Sequence, residues 1–189
     1  MGVHGLSSYM LFLSLLVLSV AAVSVSAADA DLVLKICQNS KSSEFCYDTL
    51  VTDPRTAAAD INGLSVISVS LTIITVQETT DKITEFLNHE IDSVVKEHLT
   101  SCQENYASAY SKFQQAWNSA LERSYNDVLN LVKDGRSEGS TCENGFRSEP
   151  IRISPLTDRT DLLLQHVEII QLVIQQILST STKLEEHLI

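Results

Sequence analysis

One run of apolar and small residues constrains the fold of this chain more than any other feature of its sequence. Between residues 95 and 120 these residues recur at alternating spacings of four and three. They are Val95, Leu99, Cys102, Tyr106, Ala109, Phe113, Ala116 and Ala120. Residues spaced in this way lie on one face of an α-helix, and the alternation is typical of an antiparallel bundle or a coiled coil. The run therefore predicts a long helix that packs against partner helices.

Two further segments repeat the helical spacing. Upstream, the apolar positions are Leu64, Ile67, Leu71 and Ile74, continued by Ile83, Phe86 and Leu87. Downstream, they are Leu163, Val167, Ile170, Val173 or Ile174, and Ile177. Pro155 ends the preceding segment, and Thr157 or Asp158 can cap the new helix. The β-branched stretch 66–76 alone resembles a strand. Because its polar residues fall at helical intervals and no turn residue follows, we predict a helix there.

A fourth helix is predicted from Tyr125 to about Phe146, although it contains Gly135 and Gly139. Each glycine costs a helix up to about 1 kcal/mol relative to alanine. Gly-x-x-x-Gly also matches a membrane helix-packing motif, but the charged residues between the glycines exclude that interpretation. Before these helices, two short stretches at 31–41 and 42–51 each hold one cysteine. We predict an all-α fold: an up-down-up-down four-helix bundle preceded by a helical hairpin.

The first 28 residues contain no Asp, Glu, Lys or Arg, and the stretch from Met10 to Val25 is rich in Leu, Val and Ala. The small residues Val25-Ser26-Ala27 follow it, as at the cleavage site of a secretory signal peptide. We predict a signal peptide over 1–27 and a domain over 28–189, with the hairpin extension at 28–60 and the bundle at 61–189. The alternative is an uncleaved anchor, because the apolar run is about long enough to span a bilayer.

All four cysteines, Cys37, Cys46, Cys102 and Cys142, follow the predicted signal peptide. An even number of cysteines in an exported chain indicates two disulfides. Three pairings are possible from the sequence; the short separation of the first two cysteines favours a bond between them within the hairpin. A metal site is disfavoured because no Cys-x-x-Cys is present and no His or carboxylate stands at regular ligand spacing around the cysteines.

Composition and motifs exclude several functions. The chain has 24 acidic and 13 basic residues, a net charge of -11, which argues against partners with phosphate backbones and against anionic membrane surfaces. Neither Gly-x-Ser-x-Gly, a phosphate-binding glycine loop, nor His-Glu-x-x-His occurs. The five histidines are isolated in sequence, and His98 and His166 near the helical seams are expected to be partly buried. We therefore expect neither an enzyme nor a cofactor.

Several short motifs resemble the plant invertase and pectin methylesterase inhibitor family. They are Ile36-Cys37, Phe45-Cys46, Asp53-Pro54, Ala59-Asp60-Ile61-Asn62-Gly63-Leu64, Cys102 followed by Tyr106, Thr141-Cys142-Glu143-Asn144-Gly145-Phe146, and Ser154-Pro155-Leu156. The resemblance implies a four-helix bundle with an N-terminal hairpin, in which the first cysteine pairs with the second and the third with the fourth. It also implies a secreted inhibitor, in the apoplast or cell wall or in the vacuole, that binds one enzyme in a one-to-one complex and blocks its cleft.

The resemblance allows two target enzymes. We expect a plant acid invertase (β-fructofuranosidase), with pectin methylesterase as the alternative. A small-ligand carrier and a non-inhibitory pollen or seed protein of the same fold remain further hypotheses. The family's invertase inhibitors resemble one another in a Pro-Lys-Phe element in the turn between the second and third bundle helices. Here that turn reads Leu121-Glu122-Arg123-Ser124-Tyr125-Asn126-Asp127, with no Pro or Lys.

Arg123, Ser124, Tyr125 and Asn126 are the candidate docking residues for invertase. Arg123 would supply the cation and Tyr125 the aromatic anchor, two residue types that are enriched in interface hot spots. The alternative is that Tyr125 is a core residue at a helix start. By resemblance, pectin methylesterase inhibitors instead bind through a polar face of the middle helices, with candidates between Glu78 and Glu90 and on the outer faces of the second helix.

Overall fold

The computed structural model describes residues 27–186, which form six α-helices and one short 3-10 helix. The helices are α1 (Ala27–Cys37), α2 (Ser43–Thr52), α3 (Ile61–His89), α4 (Ser93–Leu121), α5 (Tyr125–Gly145) and α6 (Thr157–Glu186), with the 3-10 helix at Pro54–Ala58. No strand occurs among the described residues, and the β-branched stretch lies within α3, as predicted. The predicted signal peptide lies outside the described residues except for Ala27.

Short turns and carboxylate caps fix the course of the long helices. Glu90–Asp92 joins α3 to α4 and Glu122–Ser124 joins α4 to α5, so consecutive helices run antiparallel. Asp60 accepts the N–H of Gly63 at 2.7 Å at the start of α3, and Asp92 accepts those of Val94 and Val95 at 2.8 and 3.3 Å at the start of α4. These carboxylates satisfy backbone donors that the first helical turn leaves free.

The four long helices form a closed ring in the order α3, α4, α5, α6, in which each contacts its two neighbours. The predicted seam of α4 faces the centre of this ring: all of its residues are buried except Val95, which is half-buried. The predicted seam of α6 is buried as well. By length and composition α3 and the Thr157–Thr180 part of α6 could also span a membrane, but here both contribute buried seams to the bundle. The predicted four-helix bundle is confirmed.

The core face of α3 differs from the predicted one. Ile74, predicted to be a seam residue, is 48% exposed, whereas Thr72 and Thr79 are fully buried. The hydroxyl of Thr72 donates to the carbonyl oxygen of Ser68 at 2.9 Å and that of Thr79 to Thr75 at 2.8 Å. Because each hydroxyl is satisfied within its own helix, small polar residues replace the expected isoleucine in the interior.

The two glycines of α5 mark its closest approach to neighbouring helices. A Cβ on Gly135 would lie 2.7 Å from Cε2 of Phe113 in α4, and one on Gly139 would lie 2.6 Å from Cδ2 of Leu163 in α6. Both glycines are buried. Glycine is unfavourable within a helix, but at these two positions the missing side chain lets α5 pack tightly against α4 and α6.

Two disulfides join the elements in the pairing that the family resemblance implies. Cys37 bonds Cys46 with Cα atoms 5.5 Å apart, which closes the α1–α2 hairpin, and Cys102 bonds Cys142 with Cα atoms 4.6 Å apart, which ties α4 to α5. The hairpin packs along α6. There the rings of Phe45 and His166 meet at right angles with centroids 5.5 Å apart.

Candidate functional site

The turn between α4 and α5 and the first residues of α5 carry the four residues predicted to dock on invertase. Arg123 has a φ of 59°, in the left-handed region, and its side chain is exposed. The carbonyl oxygen of Ser124 accepts the N–H groups of Asp127 and Val128 at 3.0 and 3.1 Å, which starts α5. The chain thus reverses direction within three residues and presents Arg123 at its tip.

Tyr125 ties this turn to the beginning of α3. Its ring is half-buried against the core, and its hydroxyl donates to Oδ1 of Asn62 at 2.6 Å. The Nδ2 of Asn62 in turn donates to Oδ2 of Asp60 at 3.1 Å. Burial raises the pKa of Tyr125. The structure therefore gives Tyr125 partners within its own chain.

The start of α3 supplies negative charge to the turn. The backbone N–H of Gly63 holds the pKa of Asp60 below its usual value, and the amide of Asn62 and the charge of Arg123 add to this effect. Of the four predicted docking residues, Arg123 and Asn126 are exposed, and Ser124 and Tyr125 are half-buried. They lie together at the turn and the start of α5, beside Asp60 and Asn62, which no local sequence pattern connects to them.

A ladder of polar contacts follows the outer surface between α4 and α5. The two carboxylate oxygens of Glu138 accept the amide of Asn105 at 3.0 Å and the hydroxyl of Ser108 at 2.9 Å. One helical turn further on, Nζ of Lys112 lies 3.4 Å from Oδ2 of Asp134. We call these five residues the α4–α5 face. Their spacings of three and four are visible in the sequence, but which helix lies beside α4 is visible only in the structure.

A polar groove continues the α4–α5 face towards the turn. Its volume is about 450 Å³, and it is lined by Gln115, Asn118, Ser119, Asp127, Asn130 and Leu131. Side chains with amide, hydroxyl and carboxylate groups, together with Leu131, therefore line the surface between α4 and α5 from its middle towards the exposed Arg123.

The histidines and carboxylates do not assemble a metal site in the part of the chain that the structure describes. Residues 27–186 contain no group of three or more His, Cys, Asp or Glu side chains that could hold an ion. His166 is 9% exposed, and burial lowers its pKa from 6.5 to about 4. His98 is half-buried with its ring tilted against Phe146 at 5.0 Å. Both imidazoles lie at packing contacts near the seams, but the buried Nε2 of His98 has no hydrogen-bond partner, unlike the satisfied imidazole expected there.

Comparisons with known proteins agree with this architecture. Residues 31–183 match the family described as plant invertase/pectin methylesterase inhibitor. Pectinesterase inhibitor 5 of Arabidopsis thaliana is 32% identical over 156 residues, which cover 80% of this chain and 86% of that protein. The pectinesterase inhibitor of Actinidia deliciosa is 30% identical over 155 residues, 82% of this chain and 83% of that one.

Proteins with a different stated target are also similar to this chain. The cell wall / vacuolar inhibitor of fructosidase 2 of Arabidopsis thaliana is 26% identical over 146 residues, 75% of this chain and 81% of that protein. Among solved structures, a mutant form of a pectin methylesterase inhibitor from Arabidopsis superposes with a TM-score of 0.64 at 17% identity. The match covers 74% of this chain and 93% of that one, and it supports the helical fold.

Proposed function

Because this chain belongs to the plant invertase/pectin methylesterase inhibitor family, we propose that it is a secreted inhibitor of a pectin methylesterase. The domain at 28–189 is exported after removal of residues 1–27 and acts in the apoplast or cell wall, with the vacuole as the alternative location. It forms a one-to-one complex with the enzyme and covers the active-site cleft. The family consists of enzyme inhibitors rather than enzymes, and the proposed role needs no cofactor.

The α4–α5 face is the observation that carries this proposal. Glu138 already holds Asn105 and Ser108 in place, at 3.0 and 2.9 Å. Side chains that are fixed before binding lose little conformational freedom in the complex, so more of the contact energy appears as affinity. A cleft that binds a sugar polymer presents hydrogen-bonding groups, and the amide, hydroxyl and carboxylate groups of this face complement them.

The turn argues for pectin methylesterase over acid invertase. It lacks the Pro-Lys-Phe element, and its aromatic residue, Tyr125, is half-buried and hydrogen-bonded to Asn62. Use of Tyr125 as an anchor would require it to leave these contacts. Acid invertase remains the second candidate because Arg123 is exposed at the tip of the turn, where a cation can enter a cleft lined by carboxylates.

Inhibition assays with two variants separate the targets. The purified protein is titrated against a plant pectin methylesterase and a plant acid invertase at pH 5. We expect inhibition of pectin methylesterase to fall at least tenfold in Ser108→Trp, because an indole would separate the partner from the α4–α5 face. Inhibition by Arg123→Ala should equal that of the parent protein. Gln175→Trp, on α6 diagonally across the bundle from α4, is the matched control. Inhibition of invertase alone, lost in Arg123→Ala, would instead establish the second candidate.

A further inference from the structure

A groove lies between the N-terminal hairpin, α5 and α6. Its volume is about 570 Å³, within the range of about 300–1,000 Å³ that is typical of small-molecule sites. α6 supplies most of its lining, along a stripe from Asp161 to Gln175, while α5 contributes Arg136 and the loop between α1 and α2 contributes Lys41 and Ser42. We call it the α6 groove. It shares no lining residue with the α4–α5 face or with the polar groove near the α4–α5 turn.

The hairpin side of the α6 groove is held in place by contacts within the chain. The backbone N–H of Lys41 donates to Oε1 of Glu168 at 2.9 Å, which joins the hairpin loop to α6. The disulfide between Cys37 and Cys46 closes the same loop. The groove is therefore formed before a ligand arrives, and a preformed site loses less conformational entropy on binding.

Two cations of the α6 groove have no anionic partner. Lys41 and Arg136 come from different segments, and both are exposed. Within the part of the chain that the structure describes, the ion pairs all involve other residues. In a protein of net charge -11, two unpaired cations at one groove form a local site for negative charge. A guanidinium in particular binds a carboxylate through two parallel hydrogen bonds.

The remaining lining combines amides with apolar side chains. Gln165, Gln171 and Gln175 line the groove together with the half-buried Leu164 and Leu172. A glutamine amide both donates and accepts hydrogen bonds, so it can bond to a hydroxyl group in either direction. Leucine side chains contact the C–H groups of a ring. This combination suits a sugar, whose rings carry hydroxyl groups at their edges and C–H groups on their faces.

Shape and charge restrict the ligand further. The stripe of α6 from Asp161 to Gln175 is about 21 Å long at 1.5 Å per residue, so the groove admits rings joined in a row. Asp161 and Glu168 accept hydroxyl groups well but repel a compact anion that bears several charges. A long polyanion would extend beyond the groove over a protein of net charge -11. A short chain of sugars with few carboxylates meets none of these obstacles.

We propose that the α6 groove binds a short oligosaccharide of uronic acids. The carboxylates of the ligand pair with Lys41 and Arg136. Its hydroxyl groups bond to the amides of Gln171 and Gln175 and to the carboxylate of Asp161, and its rings lie against the leucines. This site is separate from the proposed inhibitory surface, and binding at it requires no enzyme.

Isothermal titration calorimetry of the protein expressed from the complete chain, at pH 6 and low ionic strength, tests the proposal. The probe is trigalacturonate, and its fully methyl-esterified form offers the same rings without charge. We expect the ester to bind at least fivefold more weakly. Lys41→Gln/Arg136→Gln should weaken trigalacturonate binding at least tenfold. Lys96→Gln/Lys133→Gln changes the net charge equally at exposed positions outside the groove and should bind within twofold of the parent.

Thermal unfolding verifies that each variant is folded. Absence of trigalacturonate binding by the parent, or equal affinity of the parent and Lys41→Gln/Arg136→Gln, would overturn the proposal. A loss of the same size in Lys96→Gln/Lys133→Gln would assign binding to overall charge instead of the groove. Citrate that binds as tightly as trigalacturonate would show a site for any carboxylate, and retention on polygalacturonate without binding of the trimer would assign a long polymer. Both results would also overturn it.

Discussion

At Gly135 the backbone of α5 passes so close to Phe113 that an added Cβ would lie 2.7 Å from the ring. Gly135→Ala raises helix propensity by about 1 kcal/mol, but overpacking of a filled core costs about 1–3 kcal/mol. Because the Phe113 ring is itself buried on all sides, we expect the overlap to dominate and the free energy of unfolding to fall by about 1–2 kcal/mol. Urea denaturation measures the change.

Gly145 provides the matched control for this substitution. A Cβ there would lie 3.9 Å from Nδ1 of His98, at an ordinary van der Waals distance. Gly145→Ala should therefore leave the stability unchanged or slightly raised. If Gly135→Ala behaved in the same way, the close approach of α5 to α4 would be contradicted.

His166 gives the folded protein a pH-dependent stability. Burial lowers its pKa from 6.5 to about 4. Between these values the unfolded chain binds the proton and the folded one does not, so the free energy of unfolding falls as the pH falls. The contribution of the neutral imidazole is fully present above about pH 6.5, and the loss reaches up to about 3 kcal/mol near pH 4. Asp53, whose pKa is lowered by its hydrogen bond to Arg55, loses its contribution only at lower pH.

Denaturant titrations at pH 7, 5.5 and 4.5 test this prediction. His166→Leu removes the titrating group from the contact with Phe45 and should flatten the decline between pH 6.5 and 4. His89→Gln, at the exposed end of α3, should retain the decline. A decline of the same size in His166→Leu and in the parent would show that another group causes it.

The two disulfides constrain different parts of the fold. Cys102 and Cys142 are 40 residues apart and tie α4 to α5, a loop closure that contributes about 4 kcal/mol on the chain-entropy model. Removing this disulfide in Cys102→Ser/Cys142→Ser should lower the melting temperature of the whole bundle in non-reducing conditions. Cys37→Ser/Cys46→Ser is the control, because it opens a loop with a separation of 9 in the hairpin. The hairpin variant should raise hydrogen exchange mainly in α1 and α2. An unchanged melting temperature in Cys102→Ser/Cys142→Ser would show that this disulfide does not stabilise the bundle.

The sequence predicted the elements best where large apolar residues repeat. The alternation from Leu99 to Ala120 marks the buried face of α4 because few other arrangements remove that many side chains from water. In α3 the same reasoning assigned Ile74 to the core, where the structure has Thr72 and Thr79 instead. A threonine can be buried when its hydroxyl donates to a carbonyl oxygen of its own helix. A pattern of apolar positions does not identify such residues, so it misses this part of the core.

Contacts between distant segments of the chain could not be predicted from local sequence patterns. The α4–α5 turn was located by resemblance, but the bond from Tyr125 to Asn62 joins residues 63 positions apart. The contact between Arg152 and Asp92 likewise spans 60 positions and joins the loop after α5 to the turn before α4. Both contacts depend on which helix ends meet, and local spacing carries no record of that.

Net charge and the proposed interface together give the complex a pH dependence. The chain carries 24 acidic residues, and the proposed complex would remove some carboxylates from water, which favours their protonated form. The complex then binds more protons than the free partners, so affinity rises as the pH falls. We expect about three- to tenfold tighter binding to pectin methylesterase at pH 5 than at pH 7, measured by calorimetry at constant ionic strength. Equal dissociation constants for the parent at both pH values would contradict this proton linkage.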